Sequence, residues 1–337
     1  MPTTPTHAID TLTRVADRML DWRFHCWYWG DAIAIDGLLE ADALCAGSYR
    51  GAVVETLQRW LDHCLVNFDD VLAPGAAIIQ LVMDGDLPAA AAERVLSRVE
   101  GLPLAYGDIP ALEPHRLAFR YGVCIDAVYH LPAMYALAAR WRDDAGLAGK
   151  AVSIAVDSMN ILRCESGWAQ WFDPTRKANN AVAWSRGLGW AVLGLLDLVQ
   201  AADGRGTAQA ADLAAQVLER LAATQQADGN WAEVLDHPPA GSETSTASFY
   251  VAAALHPAAR RLVALPADVL ARATAACRHA LADDGTFTGV TTGRAPELGH
   301  HDVRAVSDRA VTVGARHRGA RICRPGARRS SGEFLTV

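Results

Sequence analysis

Apolar positions recur at helical spacing in nearly every segment of this chain, and strand-like alternation is almost absent. Leu12, Val15, Ala16, Met19 and Leu20 follow the i, i+3, i+4 rule, which predicts a helix over residues 9–22. Val53, Leu57, Trp60, Leu61 and Leu65 share one face of a segment over 49–66. The same pattern predicts helices over 31–46, 75–83, 88–100, 121–141, 147–163, 184–200, 209–226, 246–255 and 266–281. Pro74-Gly75 opens one of these helices, and Asp84-Gly85-Asp86 forms the turn that ends it. The layout is all-α and repeat-like, about a dozen helices joined by alternately short and long loops. Two arrangements satisfy it: a toroid of paired helices or an open superhelix. The long loops, at 23–30, 66–75, 101–120, 164–183 and 227–245, are rich in aromatic residues and glycine. In a double ring of helices, alternate loops emerge at one end, so these five would converge on one cleft.

Composition narrows the picture. The chain has 337 residues, of which 51% are hydrophobic, enough for a sizeable core. No linker divides it, so residues 1–300 read as a single domain. A net charge of −7 without a basic stripe argues against nucleic acid as a partner. No apolar run is long enough for a membrane span, and the first residues lack the basic-then-apolar pattern of a signal peptide. The 7 cysteines show no C-x-x-C spacing. They read as reduced thiols, and the expected location is cytoplasmic. The 10 tryptophans suggest aromatic core layers or a carbohydrate-facing cleft.

The candidate chemistry centres on residues 178–200. Arg186 offers a planar fork suited to a carboxylate. Trp184 and Trp190 offer flat faces that stack on sugars, and Gly187 and Gly189 would let a ligand approach a helix start. The competing reading is a tight helix–helix turn with core tryptophans. Asp126 sits among apolar residues at a helix start, where partial desolvation would suit a general acid and where a plain N-cap is the alternative. Asp69 and Asp70 precede another helix, and capping is again the alternative. Glu243 stands before a helix near Ser245 and reads as a capping residue or a site residue. Gln225, Gly229 and Trp231 form a turn, and His115 and His130 stand alone. Metal-ligand spacing, a phosphate loop and a nucleophile elbow are all missing from the sequence.

Six ordered motifs carry a resemblance. They are N-x-D-D-x-x-A-P-G at 67–75, I-D-x-x-Y-x-x-P at 125–132, W-F-D-P at 171–174, W-x-R-G-x-G-W at 184–190, Q-x-x-x-G-x-W at 225–231 and E-T-S-T-A-S at 243–248. Together they resemble glycoside hydrolase family 105, the unsaturated rhamnogalacturonyl hydrolases, and more distantly family 88, the unsaturated glucuronyl hydrolases. The resemblance implies an (α/α)6 barrel. It implies a 4,5-unsaturated uronic-acid oligosaccharide as substrate, hydrated at its double bond without cofactor or metal. Asp126 matches the aspartate that protonates carbon 4, and water then adds at carbon 5. Asp70 matches the second carboxylate, with Asp69 beside it. Arg186, Trp184, Trp190, Gln170, Trp171 and Glu243 match the substrate-binding region, with Arg186 either on the uronate carboxylate or holding Asp126 in place.

Three positions depart from the family pattern. Gln170 stands where relatives often carry histidine, and it cannot titrate. Cys124 stands for a common tryptophan and Leu188 for a common asparagine. Alternative readings are an inactive or binding-only relative, or another (α/α)6 sugar enzyme such as an epimerase. Beyond residue 300 the apolar period stops and the chain becomes rich in arginine and glycine. Residues 301–337 read as a disordered basic tail or as the product of a frameshift that replaced a final helix.

Overall fold

The computed structural model describes residues 5–21, 24, 29–45, 49–63, 75–111, 122–203 and 206–291. Asp69, Asp70, His115 and the 301–337 tail therefore lie outside the described residues. Twelve helices are described: α1 (Pro5–Leu20), α2 (Trp29–Leu44), α3 (Arg50–His63), α4 (Gly75–Asp84), α5 (Ala89–Glu100), α6 (Ala127–Arg142), α7 (Ala145–Ile161), α8 (Ser185–Ala201), α9 (Ala208–Thr224), α10 (Thr244–Leu255), α11 (Ala259–Leu262) and α12 (Ala267–Ala280).

The architecture is all-α, an (α/α)6 barrel. Burial separates its two layers. In α8, 14 of 17 residues are buried, including its glycines, and only Leu193, Asp197 and Gln200 are not, so the helix lies inside. In α9 the buried positions are Ala210, Leu213, Ala214, Val217, Leu218 and Leu221, a single stripe with solvent on the other side. Packing follows the same division. Helices α2, α4, α6, α8 and α10 are successive neighbours. Outside them α1 and α3 lie on α2, α5 on α4, α7 on α6, α9 on α8 and α12 on α10.

The inner helices approach closely because of particular residues. Pro132 lies within α6 and cannot donate to the carbonyl of Val128 one turn earlier. That carbonyl meets α8 at Gly194, where a Cβ would stand 2.0 Å from Val128 O and 2.4 Å from Tyr129 Cα. Only glycine permits this crossing.

The long loops carry small antiparallel ladders that helical periodicity did not predict. Val123–Cys124 pairs with Trp171–Asp173, which pairs in turn with Ala178–Asn179. Trp231–Ala232 pairs with Ser242–Glu243. The helix expected over 121–141 accordingly starts later, at Ala127, because residues 123–124 are drawn into the ladder. The one-turn helix α11 was also not foreseen. The ladders of residues 123–124, 171–173, 178–179, 231–232 and 242–243 lie just ahead of the inner helices α6, α8 and α10 and mark one mouth of the barrel.

Candidate active site

The mouth is assembled where the ladders meet the starts of α6, α8 and α10. Asp126 occupies the N-cap position of α6 in helical conformation (φ −62°, ψ −25°), and its side chain makes no capping hydrogen bond. Its surroundings are fixed by backbone. The Ile125 N–H donates to Gln170 O at 2.9 Å, and Cys124 is in register with Trp171. The start of α8 presses on the same point, since a Cβ at Gly187 would meet Ile125 Cγ2 at 2.6 Å. The structure therefore brings Asp126, Gln170, Trp171 and the start of α8 into one neighbourhood.

Trp171 and Gln170 are both buried. The Trp171 indole occupies the space a side chain would need at Gly122, within 1.8 Å of the built Cβ position. Gln170 joins the ladder through its backbone, donating to Val182 O at 2.8 Å.

Arg186 and Glu243, singled out separately in the sequence, form one unit. Their side chains are 2% and 0% exposed and lie 3.3 Å apart. Glu243 caps α10 by accepting from Ser245 N–H at 3.1 Å and from Ser245 Oγ at 2.6 Å. Its other oxygen accepts from the Thr291 N–H at 3.2 Å and from the Thr291 hydroxyl. Arg186 Nη1 donates to Thr291 O at 2.9 Å. Thr291 is thus a partner that sequence reading missed; it lies 48 residues from Glu243, with no local signal.

The Arg186 guanidinium lies over the Trp184 ring, 4.5 Å from its centre. Arg186 Nε and Trp184 Nε1 are both buried, and neither has a hydrogen-bond partner among the described residues. Both are donors without an acceptor, and an unmet buried N–H costs about 1–3 kcal/mol.

Behind Arg186 and Trp184 lies an aromatic layer. Trp190 packs on Phe249 (centroids 4.7 Å), Tyr129 (5.1 Å) and His130 (5.6 Å). The space at Gly189 is filled by Phe249, whose Cβ lies 2.6 Å from the built position. Gly187 and Gly189 therefore serve protein packing, and Trp184 and Trp190 are buried at 5% and 1% exposure. The Gln225 motif is structural as well. Gln225 Nε2 donates to Gly229 O (3.1 Å) and Val269 O (3.0 Å), and Trp231 Nε1 donates to Leu221 O (2.8 Å). Among the described residues no cluster of three or more His, Cys, Asp or Glu could hold a metal, and no helix is long and apolar enough to cross a membrane.

A family model described as Glycosyl Hydrolase Family 88 matches residues 167–312, a span that includes Gln170, Trp171, Trp184, Arg186, Trp190 and Glu243. A search of curated proteins by sequence finds no match. Solved structures share the fold. A possible member of the GH105 family from Klebsiella pneumoniae superimposes with a TM-score of 0.76 at 15% identity, over 90% of this chain and 88% of that one. One from Salmonella enterica gives 0.75 at 14% identity, over 90% and 89%. The unsaturated glucuronyl hydrolase of Bacillus sp. GL1, responsible for glycosaminoglycan degradation, gives 0.63 at 16% identity, over 89% and 95%. The family match over residues 167–312, set on this barrel, relates the protein to glycoside hydrolase families 88 and 105.

Proposed function

We propose that this protein is a glycoside hydrolase that removes a 4,5-unsaturated uronic acid from the non-reducing end of an oligosaccharide. The observation that carries the reading is the pair of buried donors at the mouth. Arg186 Nε and Trp184 Nε1 are unmet donors on two side chains that stack at 4.5 Å, both within the matched family span. A uronate carboxylate is the acceptor such donors suit, and a charged acceptor strengthens both bonds. Glu243 balances the guanidinium charge, which fixes Arg186 in place and leaves its Nε edge for the ligand.

Asp126 supplies the chemistry in this proposal. Its carboxyl stands at the start of an inner helix beside the ladder of the mouth and does not cap that helix. Asp126 protonates carbon 4 of the vinyl ether, and water adds at carbon 5. The resulting hemiketal opens and releases the remaining sugar. Asp70, with Asp69 beside it, is the proposed second carboxylate; a neighbouring negative charge would keep Asp126 protonated nearer neutrality. Trp171 and Trp190 shape the pocket wall and floor, and Gln170 holds the ladder beside the acid. The substrate is a soluble saccharide met in the cytoplasm, and the domain spans residues 1–300.

The test is the loss of the conjugated uronate's ultraviolet absorbance with unsaturated galacturonyl-rhamnose and with unsaturated chondroitin disaccharide. Wild type should consume at least one, and Asp126→Asn should be slower by about 10²–10⁴. Equal rates in the two proteins would remove Asp126 from the role. No loss with either sugar, from folded protein that still binds them, would leave a binding-only relative.

A further inference from the structure

Below the aromatic layer the inner helices line a second space of about 280 Å³, largely apolar with a set of charged side chains. Its wall is contributed by α2, α4, α6 and α8. The deep end holds Asp36, Tyr129 and His130. The rim holds the exposed side chains of Glu40, Arg140 and Gln200, and Asp197 at 38% exposure. Asp126 is not among the lining residues. A volume of this order admits a small organic molecule.

Three carboxylates face this space. Asp36 Oδ2 accepts from the Tyr129 hydroxyl at 2.5 Å. Asp197 Oδ1 lies 3.2 Å from His256 Nε2, which approaches from the end of α10. Glu40 stands one turn beyond Asp36 on α2. The rim guanidinium of Arg140 and the imidazole of His256 are the basic groups beside them.

An acidic lining alone would suit nothing in particular, but the deep end adds a second feature. His130 is 5% exposed, lines the space, and its Nε2 has no hydrogen-bond partner among the described residues. Burial lowers its pKa to about 3, so the ring is neutral and offers its ring nitrogens to a hydroxyl. Burial, opposed by the Tyr129 hydrogen bond and reinforced by the charges of Asp197 and Glu40, raises Asp36 to about 7. A carboxyl held this far from its ordinary range is one that a bound cation would relieve.

We propose that this cavity is a binding site for a small hydroxylated alkylamine, its ammonium group held by Asp36 and Asp197 and a hydroxyl meeting His130 Nε2. The ammonium explains the excess of carboxylates. The hydroxyl explains the buried imidazole at the bottom. The alanines Ala32, Ala76, Ala77 and Ala133 leave the width a carbon chain needs. The site is distinct from the catalytic reading, since Asp126, Arg186 and Glu243 do not line it; Tyr129 and His130 stand in the layer between the two.

The probe is 1-amino-1-deoxysorbitol, with sorbitol as its uncharged counterpart, titrated calorimetrically into the full chain. The amine should bind saturably and sorbitol should not. Asp36→Asn and Asp197→Asn should each weaken binding by about tenfold or more, because each removes a charge-assisted bond. Asp197 is at the rim, so Asp197→Asn tests the site even where Asp36→Asn disturbs folding. Ala133→Leu should abolish binding by filling the space. Absence of saturable binding to folded wild type, equal binding of sorbitol, or unchanged affinity in folded Asp197→Asn would each overturn the proposal.

Discussion

The mouth and the inner cavity use the same helices and treat charge in opposite ways. At the mouth, Arg186 and Glu243 are fully enclosed, and each answers the other within 3.3 Å. Glu243 also accepts from Ser245 and Thr291 and Arg186 donates to Thr291 O, while Arg186 Nε stays unmet among the described residues. In the cavity, Asp36, Glu40 and Asp197 crowd a space that solvent reaches at its rim. The mouth is built by loops that meet at helix starts, so its partners are far apart in sequence. The cavity is built by helix faces, and its residues repeat at helical intervals: Asp36 and Glu40, then Tyr129, Ala133, Leu137 and Arg140. A balanced ion pair gives rigidity, and an unbalanced cluster gives an appetite for a counter-charge. The aromatic layer of Trp190, Phe249, Tyr129 and His130 lets both exist within a few turns of each other.

The largest stability effect should come from breaking the balance at the mouth. Glu243→Gln leaves the buried Arg186 charge without its partner and should destabilise the fold by about 3–5 kcal/mol. Chemical denaturation of the two proteins measures it. A loss below about 1 kcal/mol would mean that the guanidinium finds another acceptor. Next in size is the helix crossing that holds the layer. Gly194→Ala places a Cβ against Val128 O and should cost about 1–3 kcal/mol. An unchanged denaturation midpoint would show that α6 and α8 can separate locally without penalty.

The comparison sharpens further through pH. Burial raises the Asp36 carboxyl from its ordinary 3.8 to about 7, so the folded protein holds a proton there that the unfolded chain releases. Its contribution to stability falls as pH rises from about 4 to about 7. His130 is lowered to about 3 from 6.5, so the unfolded chain holds the extra proton. Its contribution rises with pH over about 3 to 6.5. The two slopes oppose one another between about 4 and 6.5. Asp36→Asn removes the falling one, so its stability should climb with pH across that window more steeply than wild type, as read from thermal midpoints. Parallel profiles would show that the Asp36 pKa is not displaced.

Much of this architecture was legible because inner and outer helices obey different rules of burial. The amphipathic stripe of α9 and the apolar run of α8 are both explicit in the letters. What was not legible depended on tertiary pairing. Two-residue strands such as Val123–Cys124 have no period to detect, and only Trp171–Asp173 across the mouth makes them strands. The start of α6 was misjudged for that reason. At the site, Asp126, Arg186 and Glu243 could be picked out by residue type and position. That Arg186 and Glu243 pair, with Thr291 as the third member, could not, because nothing local links residues that far apart. Helical periodicity does not reveal the cavity, because Asp36 and Asp197 sit in helices that read as core. Asp36 and Glu40 at i, i+4 in an otherwise apolar stretch of α2 was the available signal.

The central claim is that chemistry belongs to the mouth and not to the cavity. The most direct test is the ultraviolet turnover assay on an unsaturated uronyl disaccharide with Asp126→Asn and Asp36→Asn side by side. The account predicts a loss of about 10²–10⁴ in kcat for Asp126→Asn and a kcat within about twofold of wild type for Asp36→Asn. A folded Asp36→Asn protein that loses turnover as severely, or an Asp126→Asn protein that keeps it, would contradict the division.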